Sequence, residues 1–457
     1  MVGEWTTAKI EDVSEKVAMG PFGSSIKVET FVPHGIPVIS GQHLHGSRLM
    51  DTDYNFVSLK HAEKLKNANV YRGDVVFTHA GNIGQVAFIP ASSRYERYVI
   101  SQRQFYLRPN LRKVLPEFIA YYFTSAEGQH KLLANTSSSG VPSIAQPVSY
   151  LRTIEIPLPP LSEQRAIAHI LGTLDDKIEL NRKMNRTLET MAQAIFKSWF
   201  VDFDPVRAKA AGRDHGLPKP LADLFPDSFE DSELGEIPLG WRVSRIRELT
   251  SKIQYGLTQS ASTEPVGPRF LRITDIQGGC VNWSAVPYCE ISPEGYERYR
   301  LKSGDVLVAR TGASTGENIY LADVPDAVFA SYLVRFQFSD LSIARMVGAF
   351  MRTNIYFDFV EGSIGGSAQP NASAQVLASA QLVVPPLEIT QRFLEMVTSL
   401  DKRINAINNE CQTLVILRNK LMPKLISGEI GLSPGDVMTQ SKESDSMGCN
   451  HGKGMKR

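Results

Sequence analysis

The amino-acid sequence contains a long internal repeat. A globular stretch followed by one long amphipathic helix occupies residues 5–201, and a second stretch of the same kind occupies residues 241–428. The matching points fall in the same order in both copies: Trp5 with Trp241, Gly20 with Gly256, "GDVVFTHAG" (73–81) with "GDVLVARTG" (304–312), Ser101 with Ser331, Gly140 with Gly366, and "LPPLSEQR" (158–165) with "VPPLEITQ" (384–391). A repeat of this length predicts a pseudo-symmetric molecule. Two similar recognition surfaces suit a target that also has two parts.

Each copy ends in a segment with helical periodicity. From Ser162 to about Phe200 the only Gly or Pro is Gly172, and apolar residues recur about every 3.5 residues, as in a coiled coil. Because each helix has a single apolar stripe, each needs a partner, and the simplest partner is the other helix, running antiparallel. The predicted core of this helix pair is Ile167, Leu171, Leu174, Ile178, Leu188 and Ile195 with Val397, Leu400, Ile404, Ile407, Leu414 and Leu421, and Leu417 lies on the same stripe.

Composition and charge are those of an ordinary soluble protein. The chain is 42% hydrophobic and 21% charged with a net charge of +1, so a DNA-binding surface would need local clustering of Lys and Arg. No apolar run approaches the roughly 18 residues of a membrane span, and the N-terminal residues lack the apolar region of a secretory signal. The four cysteines suit neither a zinc site nor a disulfide framework. We therefore expect a cytoplasmic protein.

Two segments carry the pattern of a known family. They are "IPLPPLSEQRAIAHILGTLDDKIELNRKMNRTLETMAQAIFKSWFVDFDPV" (156–206) and "LGEIPLGW" (234–241), which begins the second copy. With the repeat, they make the chain resemble the specificity (S) subunits of type I restriction–modification systems, over almost its whole length up to Ile430. The second helix departs slightly from the pattern, because Gln391-Arg392 is displaced by one residue relative to Gln164-Arg165.

The resemblance implies a fold and a division of labour. The expected fold is α+β, with two mixed α/β target-recognition domains joined by two long antiparallel coiled-coil helices in a pseudo-two-fold tandem duplication. The expected boundaries are 1–157 for the first recognition domain, 158–203 for the first helix, 204–240 for a connector, 241–386 for the second recognition domain, 387–428 for the second helix, and 429–457 for a polar, disordered tail.

The resemblance also implies partners. It predicts a non-catalytic subunit that recognises a bipartite, asymmetric site in double-stranded DNA and binds two methyltransferase (M) subunits and restriction (R) subunits, with no membrane partner. This chain is expected to hold no cofactor or metal. S-adenosylmethionine, ATP and Mg are expected in the partner subunits.

Candidate DNA contacts lie where the two copies share a framework but differ in their polar residues. In each copy a Gly-Asp turn and an apolar strand lead to a polar tip, which carries Thr78, His79 and Asn82 in the first copy and Arg310, Thr311, Ser314 and Thr315 in the second. A second set is Gln102, Arg103 and Gln104, with Tyr332 and Arg335 as loose counterparts. Arg can pair with guanine, and Gln with adenine, through two hydrogen bonds in the major groove. The alternative is that these side chains simply face water at a turn or a sheet edge.

Two features of the first long helix leave alternatives open. Asn181 and Asn185 lie on the apolar stripe, where they either fix the register of the helix pair or mark a place where the helices diverge and water enters. The aromatic cluster in "AIFKSWFVDF" (194–203) either packs against the second globular domain or anchors a partner subunit.

Motifs for catalysis are missing from the sequence. It contains no Walker A loop, no glycine-rich dinucleotide loop after a strand, no HExxH, and no Asn/Asp-Pro-Pro-aromatic motif of amino-methyltransferases. "HLH" (43–45) and "EGSIGGS" (361–367) are interpreted as ordinary loops, and "DDK" (175–177) as a solvated helix face. The rival hypotheses are a single-chain restriction and methylation enzyme, and a coiled-coil adaptor that does not bind DNA.

Overall fold

The internal contacts of the chain divide it into two units. The computed structural model describes residues 5–137, 141–214, 216–364 and 371–432. Unit 1 comprises residues 1–178 and 413–457, and unit 2 comprises residues 179–412. Each unit therefore combines a globular domain with parts of both long helices. The tail predicted to be disordered lies outside the described residues from 433 onward, as do Gly140 and Gly366.

The globular domain of unit 1 is a mixture of short strands and helices. Its strands are β1 (Thr6–Lys9), β2 (Ser14–Met19), β3 (Phe31–Val32), β4 (Ile36–Ile39), β5 (Phe56–Val57), β6 (Asn69–Tyr71), β7 (Val75–Thr78), β8 (Val86–Phe88), β9 (Arg97–Ile100), β10 (Gln104–Pro109), β11 (Thr136–Ser137), β12 (Ser143–Ile144) and β13 (Glu155–Leu158). Its helices are α1 (Ile10–Val13), α2 (Leu59–Lys64), α3 (Pro116–Thr124), α4 (Ala126–Leu133) and α5 (Pro147–Thr153).

Two sheets lie at the centre of this domain. One has the strand order β2-β10-β7-β8, and the other has the order β3-β5-β4-β9-β6 with β4 and β9 parallel. The first three residues of β7 are apolar, and both faces of the strand are covered. Val75 and Phe77 pack with residues of α3, whereas Val76 packs with residues of the second sheet. This two-sided burial explains the continuous apolar run before the polar tip.

Unit 2 repeats these elements after an insertion. The long helices α6 (Leu161–Phe200) and α14 (Leu387–Ile426) each have residues in both units. Between them, the helices of unit 2 are α7 (Asp204–Ala210), α8 (Lys219–Ala222), α9 (Ile246–Leu249), α10 (Pro293–Tyr299), α11 (Leu341–Met351), α12 (Asn354–Ile364) and α13 (Ala374–Ala378). The strands are β14 (Phe229–Ser232), β15 (Gly235–Pro238), β16 (Arg242–Arg245), β17 (Lys252–Tyr255), β18 (Arg269–Leu271), β19 (Ile276–Gln277), β20 (Cys280–Val281), β21 (Val306–Ala309), β22 (Asn318–Tyr320), β23 (Ala327–Phe329), β24 (Leu333–Gln337) and β25 (Gln381–Val384).

Strand pairing confirms the repeat. The order β17-β24-β21-β22 in unit 2 reproduces β2-β10-β7-β8, the pair β16-β25 reproduces β1-β13, and the parallel pair β18-β23 reproduces β4-β9. Gly20 and Gly256 occupy the same place, because a Cβ atom on either would lie 2.2 Å from a backbone oxygen. One pairing from the sequence was wrong by one residue. Ser101 corresponds to Ala330 and not to Ser331, since Ser101 N donates to Ile39 O and Ala330 N to Leu271 O, both at 2.9 Å.

A Gly-Asp turn precedes the central strand in each unit. Gly73 and Gly304 both have φ of +89°, a backbone conformation that favours glycine. The following carboxylates close the turn, because Asp74 accepts a hydrogen bond from Tyr71 N and Asp305 accepts one from Lys302 N, both at 2.9 Å. The two turns therefore place the two polar tips on equivalent strands.

The two long helices have 40 residues each. In unit 2, Asn181 contacts Glu410 at 2.8 Å and Asn185 contacts Asn408 at 2.7 Å, so the paired segments run antiparallel. Within the described residues, no helix combines the length and apolarity needed to cross a membrane. Together with the repeated sheets, these helices confirm the predicted class of two mixed α/β domains with two long helices.

The predicted helix core lies away from solvent with one exception. Ile167, Leu171, Ile178, Val397 and Ile407 are buried, and the partly buried members are Leu174, Leu188, Ile195, Leu400, Ile404, Leu414 and Leu421. Leu417, which continued the stripe in the sequence, is 43% exposed. A strict 3.5-residue count drifts relative to a helix of 3.6 residues per turn, so a stripe extrapolated over six turns can leave the interface.

The two open questions on α6 concern buried residues. Asn181 is fully buried and Asn185 is nearly so, which favours register fixing over water entry. Phe196, Trp199 and Phe200 are also buried, with Phe200 5.2 Å from Phe393 between ring centroids. The aromatic cluster therefore packs inside unit 2, as one of the two alternatives predicted.

The segment predicted as a connector is folded. Described residues between 204 and 240 form α7, α8 and the hairpin β14-β15. Val206, Phe225 and Ile237 are buried in the core of unit 2. Proline residues begin both short helices, and Gly235, with φ of +92°, lies in the turn of the hairpin.

Candidate nucleic-acid interface

The tip loop of unit 1 (79–84) joins β7 to β8, and backbone hydrogen bonds hold its ends together. Thr78 N donates to Gln85 O at 2.9 Å, and Gly84 N donates to Thr78 O at 3.1 Å. The tip loop of unit 2 (310–316) is closed in the same way, by Ala309 N to Glu317 O at 2.7 Å and Gly316 N to Ala309 O at 2.9 Å. The second loop is one residue longer.

Each tip loop is also tied to two neighbouring segments. His79 N donates to Arg103 O at 2.9 Å, and His79 O accepts from Ile144 N at 2.8 Å. The equivalent bonds in unit 2 are Arg310 N to Tyr332 O at 3.0 Å and Ala372 N to Arg310 O at 2.8 Å. Together with the sheet registers, these bonds show which residues occupy equivalent positions in the two units. The equivalent residues are His79 and Arg310, Arg103 and Tyr332, Ser143 and Asn371, and Met19 and Tyr255.

In unit 1, three of the predicted residues reach solvent. Asn82, Gln102 and Arg103 are exposed beside a cleft of about 640 Å³ that Gln42 also lines. Their amide and guanidinium groups can donate to and accept from base edges or phosphates. His79 is half-buried, its Nε2 lies 3.1 Å from Gln102 O, and burial lowers its pKa.

Thr78 and Gln104 lie in the same region but are buried. The Thr78 hydroxyl donates to Gln85 Oε1 at 3.2 Å, and Gln104 accepts a hydrogen bond from the Ser101 hydroxyl. Their counterparts in unit 2 are the buried apolar residues Ala309 and Leu333. The prediction that Thr78 and Gln104 contact DNA is therefore corrected: both support the loop from inside.

In unit 2, Arg310, Thr311, Ser314 and Thr315 are partly buried, and Tyr332 is 57% exposed. The Thr315 hydroxyl donates to Gly312 O at 2.7 Å, which closes the loop on itself. The tip of unit 2 thus offers one guanidinium, one exposed aromatic ring and several hydroxyl groups.

Arg335, which was predicted to contact DNA, is buried. It is 3% exposed, lies 3.4 Å from Asp305 and donates to Arg300 O at 2.7 Å. Asp305 is the carboxylate of the Gly-Asp turn, so Arg335 stabilises that turn and is not available to DNA. Its counterpart in the strand register is the buried Tyr106.

Two residues of the unit 2 tip were missed in the sequence. Tyr255 stacks on the Arg310 guanidinium, with Cζ 5.0 Å from the ring centroid, and Asn371 Oδ1 accepts from Arg310 Nη2 at 3.1 Å. Tyr255 precedes the matched Gly256, which was a signal that could have drawn attention to it. Asn371 follows a stretch outside the described residues, and no local pattern connects it with Arg310.

The remaining motifs support structure. His43 of "HLH" is buried and stacked on Tyr54 with 4.5 Å between ring centroids, and burial lowers its pKa. Among the described residues, no group of three His, Cys, Asp or Glu side chains could hold a metal ion. Asp175 of "DDK" accepts from Tyr121 Oη at 2.9 Å and Arg418 Nη1 at 2.7 Å, so it anchors the domain of unit 1 to helix residues and is not simply solvated. Residues 365–367 of "EGSIGGS" lie outside the described chain.

The known proteins similar to this chain include specificity subunits of type I restriction enzymes. Residues 3–190 match the family described as the type I restriction modification DNA specificity domain. The chain is similar to the HindI specificity subunit of Haemophilus influenzae, with 26% identity over 79% of this chain and 87% of that protein. It is also similar to the MjaIX specificity subunit of Methanocaldococcus jannaschii, with 24% identity over 93% of this chain and 94% of that protein.

A solved structure has a similar fold. The S subunit of a type I restriction-modification system from M. genitalium aligns with a TM-score of 0.52 and 14% identity, covering 92% of this chain and 96% of that one. At this identity the likeness extends to the fold alone.

Proposed function

We propose, from the premise that this chain belongs to the family of type I restriction–modification specificity subunits, that it recognises a bipartite, asymmetric sequence in double-stranded DNA. Each globular domain contacts one half of the site through its tip loop and the neighbouring turn, which carries Gln102 and Arg103 in unit 1 and Tyr332 in unit 2. The chain itself catalyses nothing. Its place of action is the cytoplasm.

One observation carries this proposal: the two units share the backbone ties of their tips but differ in the side chains there. His79 corresponds to Arg310, and Arg103 to Tyr332. A rigid framework that carries different polar groups at equivalent positions suits two related sites with different base sequences. A coiled-coil adaptor that does not bind DNA would have no use for this difference.

Exposed apolar residues on the long helices support binding of partner subunits. In unit 2, Leu180 and Met191 of α6 are 56% and 48% exposed, and eleven residues, or three turns, place them on one face. In unit 1, Ile416 of α14 is 51% exposed. We assign these positions to contacts with two methyltransferase subunits. Restriction subunits join that complex, and S-adenosylmethionine, ATP and Mg act in the partner subunits.

The first experiment separates recognition from catalysis. The highly purified chain, incubated with labelled S-adenosylmethionine and DNA, is expected to transfer no methyl groups. Addition of the methyltransferase subunits should give adenine methylation at a split site. Methyl transfer by the chain alone would instead support the single-chain enzyme, and a gel shift that is absent at every salt concentration would support the adaptor.

The second experiment tests whether the helices set the spacer between the half-sites. Seven residues are inserted in both helices at one level, after Glu179 and after Cys411, because Asn181 contacts Glu410. Seven residues preserve the heptad pattern and add about 10.5 Å, or about 3 bp. We expect a spacer about 3 bp longer, unchanged half-sites and weaker binding, since 3 bp also rotate the duplex by roughly 100°. A folded variant that methylates the original site with full efficiency would contradict this role.

A further inference from the structure

Arg310 is held in one orientation by contacts on two sides. Its guanidinium lies over the ring of Tyr255, with 5.0 Å from Cζ to the centroid, and Nη2 donates to Asn371 Oδ1 at 3.1 Å. Tyr255 is itself fixed, because its hydroxyl accepts a hydrogen bond from Ala374 N at 2.9 Å. A planar guanidinium fixed in this way has lost much of the freedom that an exposed arginine keeps, so binding through it costs less entropy.

The charge of Arg310 has no carboxylate partner in the described part of the chain, and its Nε atom is buried there without a hydrogen-bond partner. The buried arginines Arg335 and Arg345 of unit 2 form ion pairs with Asp305 and Asp401, and the partly buried Arg269 donates to the backbone oxygen of Val286. A partly buried, unpaired guanidinium is costly unless an electron-rich group meets it. Arg310 is therefore prepared for a ligand that accepts hydrogen bonds in the plane of its fork.

We propose that Tyr255 and Asn371 are positioning residues that present Arg310 to the O6 and N7 atoms of a guanine in the half-site bound by unit 2. This proposal rests on the proposed DNA-binding function. A fixed guanidinium plane suits bidentate pairing with a phosphate or with the O6 and N7 edge of a guanine, and the difference between the two units favours the base. The equivalent position in unit 1 is His79 with no aromatic partner at Met19, as expected if the position determines sequence and does not serve a common backbone contact.

The test uses the complex of the full chain with its methyltransferase subunits and a panel of duplexes in which each base pair of both half-sites is varied. The variants are Arg310→Ala, Arg310→Lys, Asn371→Ala, Tyr255→Leu, Tyr255→Phe and the double variant Arg310→Ala with Asn371→Ala. Arg300→Ala is the matched control, because Arg300 also lies over a tyrosine, Tyr296, at 5.6 Å. Thermal unfolding of each variant confirms that it is folded.

We expect Arg310→Ala to reduce the preference for one G·C pair by about 5- to 150-fold, the equivalent of about 1–3 kcal/mol for a bidentate contact. Arg310→Lys should lose nearly as much, because an ammonium group lacks the fork. Asn371→Ala and Tyr255→Leu should weaken the preference at the same base pair. Tyr255→Phe, which keeps the ring and loses only the hydrogen bond from Ala374 N, should weaken it less. The double variant should be no worse than Arg310→Ala, and Arg300→Ala should leave that base pair unaffected.

Four outcomes would overturn the proposal. The first is that the base pair affected by Arg310→Ala is not G·C, and the second is that no variant changes the preference. The third is that Arg310→Ala weakens binding to all sequences equally while Arg310→Lys binds nearly normally, which indicates a phosphate contact. The fourth is that the losses of Arg310→Ala and Asn371→Ala add up in the double variant. Failure of the proposed function looks different. In that case the unaltered complex selects no bipartite site at all.

Discussion

The two globular domains hold their tip loops with the same backbone hydrogen bonds and place different side chains on them. Gly20 and Gly256 approach equivalent backbone oxygens, and the carboxylates of Asp74 and Asp305 close equivalent turns. At the tip itself, His79 in one domain corresponds to Arg310 in the other. The comparison separates residues that build the framework from residues that are free to differ, and the proposed recognition of two different half-sites rests on the second group.

A framework role can also be kept while the residue that performs it moves. Arg108 donates to Asp74 at 2.7 and 2.8 Å in unit 1. In unit 2 the strand position of Arg108 holds Gln337, which donates to Asp305 at 2.9 Å, and the arginine lies two residues earlier, at Arg335. Burial raises the pKa of both aspartates, and each is opposed by its arginine. An unmatched arginine in a repeat is therefore not by itself evidence for a DNA contact.

The largest expected effect tests this difference between the two arginines. Arg335→Ala should cost about 3–5 kcal/mol of unfolding free energy, because it leaves the Asp305 carboxylate buried without its charged partner. Arg108→Ala should cost less, since the Arg108 side chain is 30% exposed against 3% for Arg335. Denaturant unfolding of both variants measures the difference. A stable Arg335→Ala variant that loses one base preference would show that Arg335 contacts DNA after all.

A smaller effect tests whether the two frameworks are independent. Gly256→Ala should destabilise unit 2 by about 3 kcal/mol, because the added Cβ would lie 2.2 Å from Ala330 O. Recognition of one half-site should fail before the other does. The matched control is Gly362→Ala in α12, where no atom lies within 4 Å of an added Cβ, and it should be neutral or slightly stabilising. Equal weakening of both half-sites by Gly256→Ala would show that the units do not act separately.

Much of the framework could be predicted because the spacing of apolar residues and the repeated Gly-Asp turns indicate it. The heptad stripe predicted two long helices, and the Gly-Asp turns with their apolar strands located both tips. The burial of Thr78 and Gln104 was missed because polar residues at the ends of the strands were taken as part of the exposed tip. Their partners Ala309 and Leu333 are apolar, so a residue-by-residue comparison of the copies points to interior positions. The contact between Arg310 and Asn371 joins residues 61 apart in sequence, and only the folded chain brings them together.

The smallest effect concerns pH and distinguishes His79 from Arg310. Burial lowers the pKa of His79, so above the ordinary value of about 6.5 it is neutral in both the folded and unfolded chain. As the pH falls below 6.5, the unfolded chain takes up the proton first, and the folded state loses stability until the lowered pKa is reached. Arginine side chains in general do not titrate in this pH range.

Unfolding measured between pH 5 and 8 should therefore show an acid destabilisation that His79→Ala reduces and Arg310→Ala does not. The difference between variant and parent is required, because burial also lowers the pKa of His43 in the same domain. Identical pH profiles for the parent and His79→Ala would contradict the burial of His79.

The central claim is that one chain recognises two half-sites through two separate domains. Methylation-aware sequencing of host DNA tests it directly, with the gene intact, deleted, and carrying Arg310→Ala or Arg103→Ala. We predict a split adenine-methylated motif that disappears on deletion, and that each variant changes base preference in a different half. A motif that persists without the gene, or that changes in the same half with both variants, would contradict the claim.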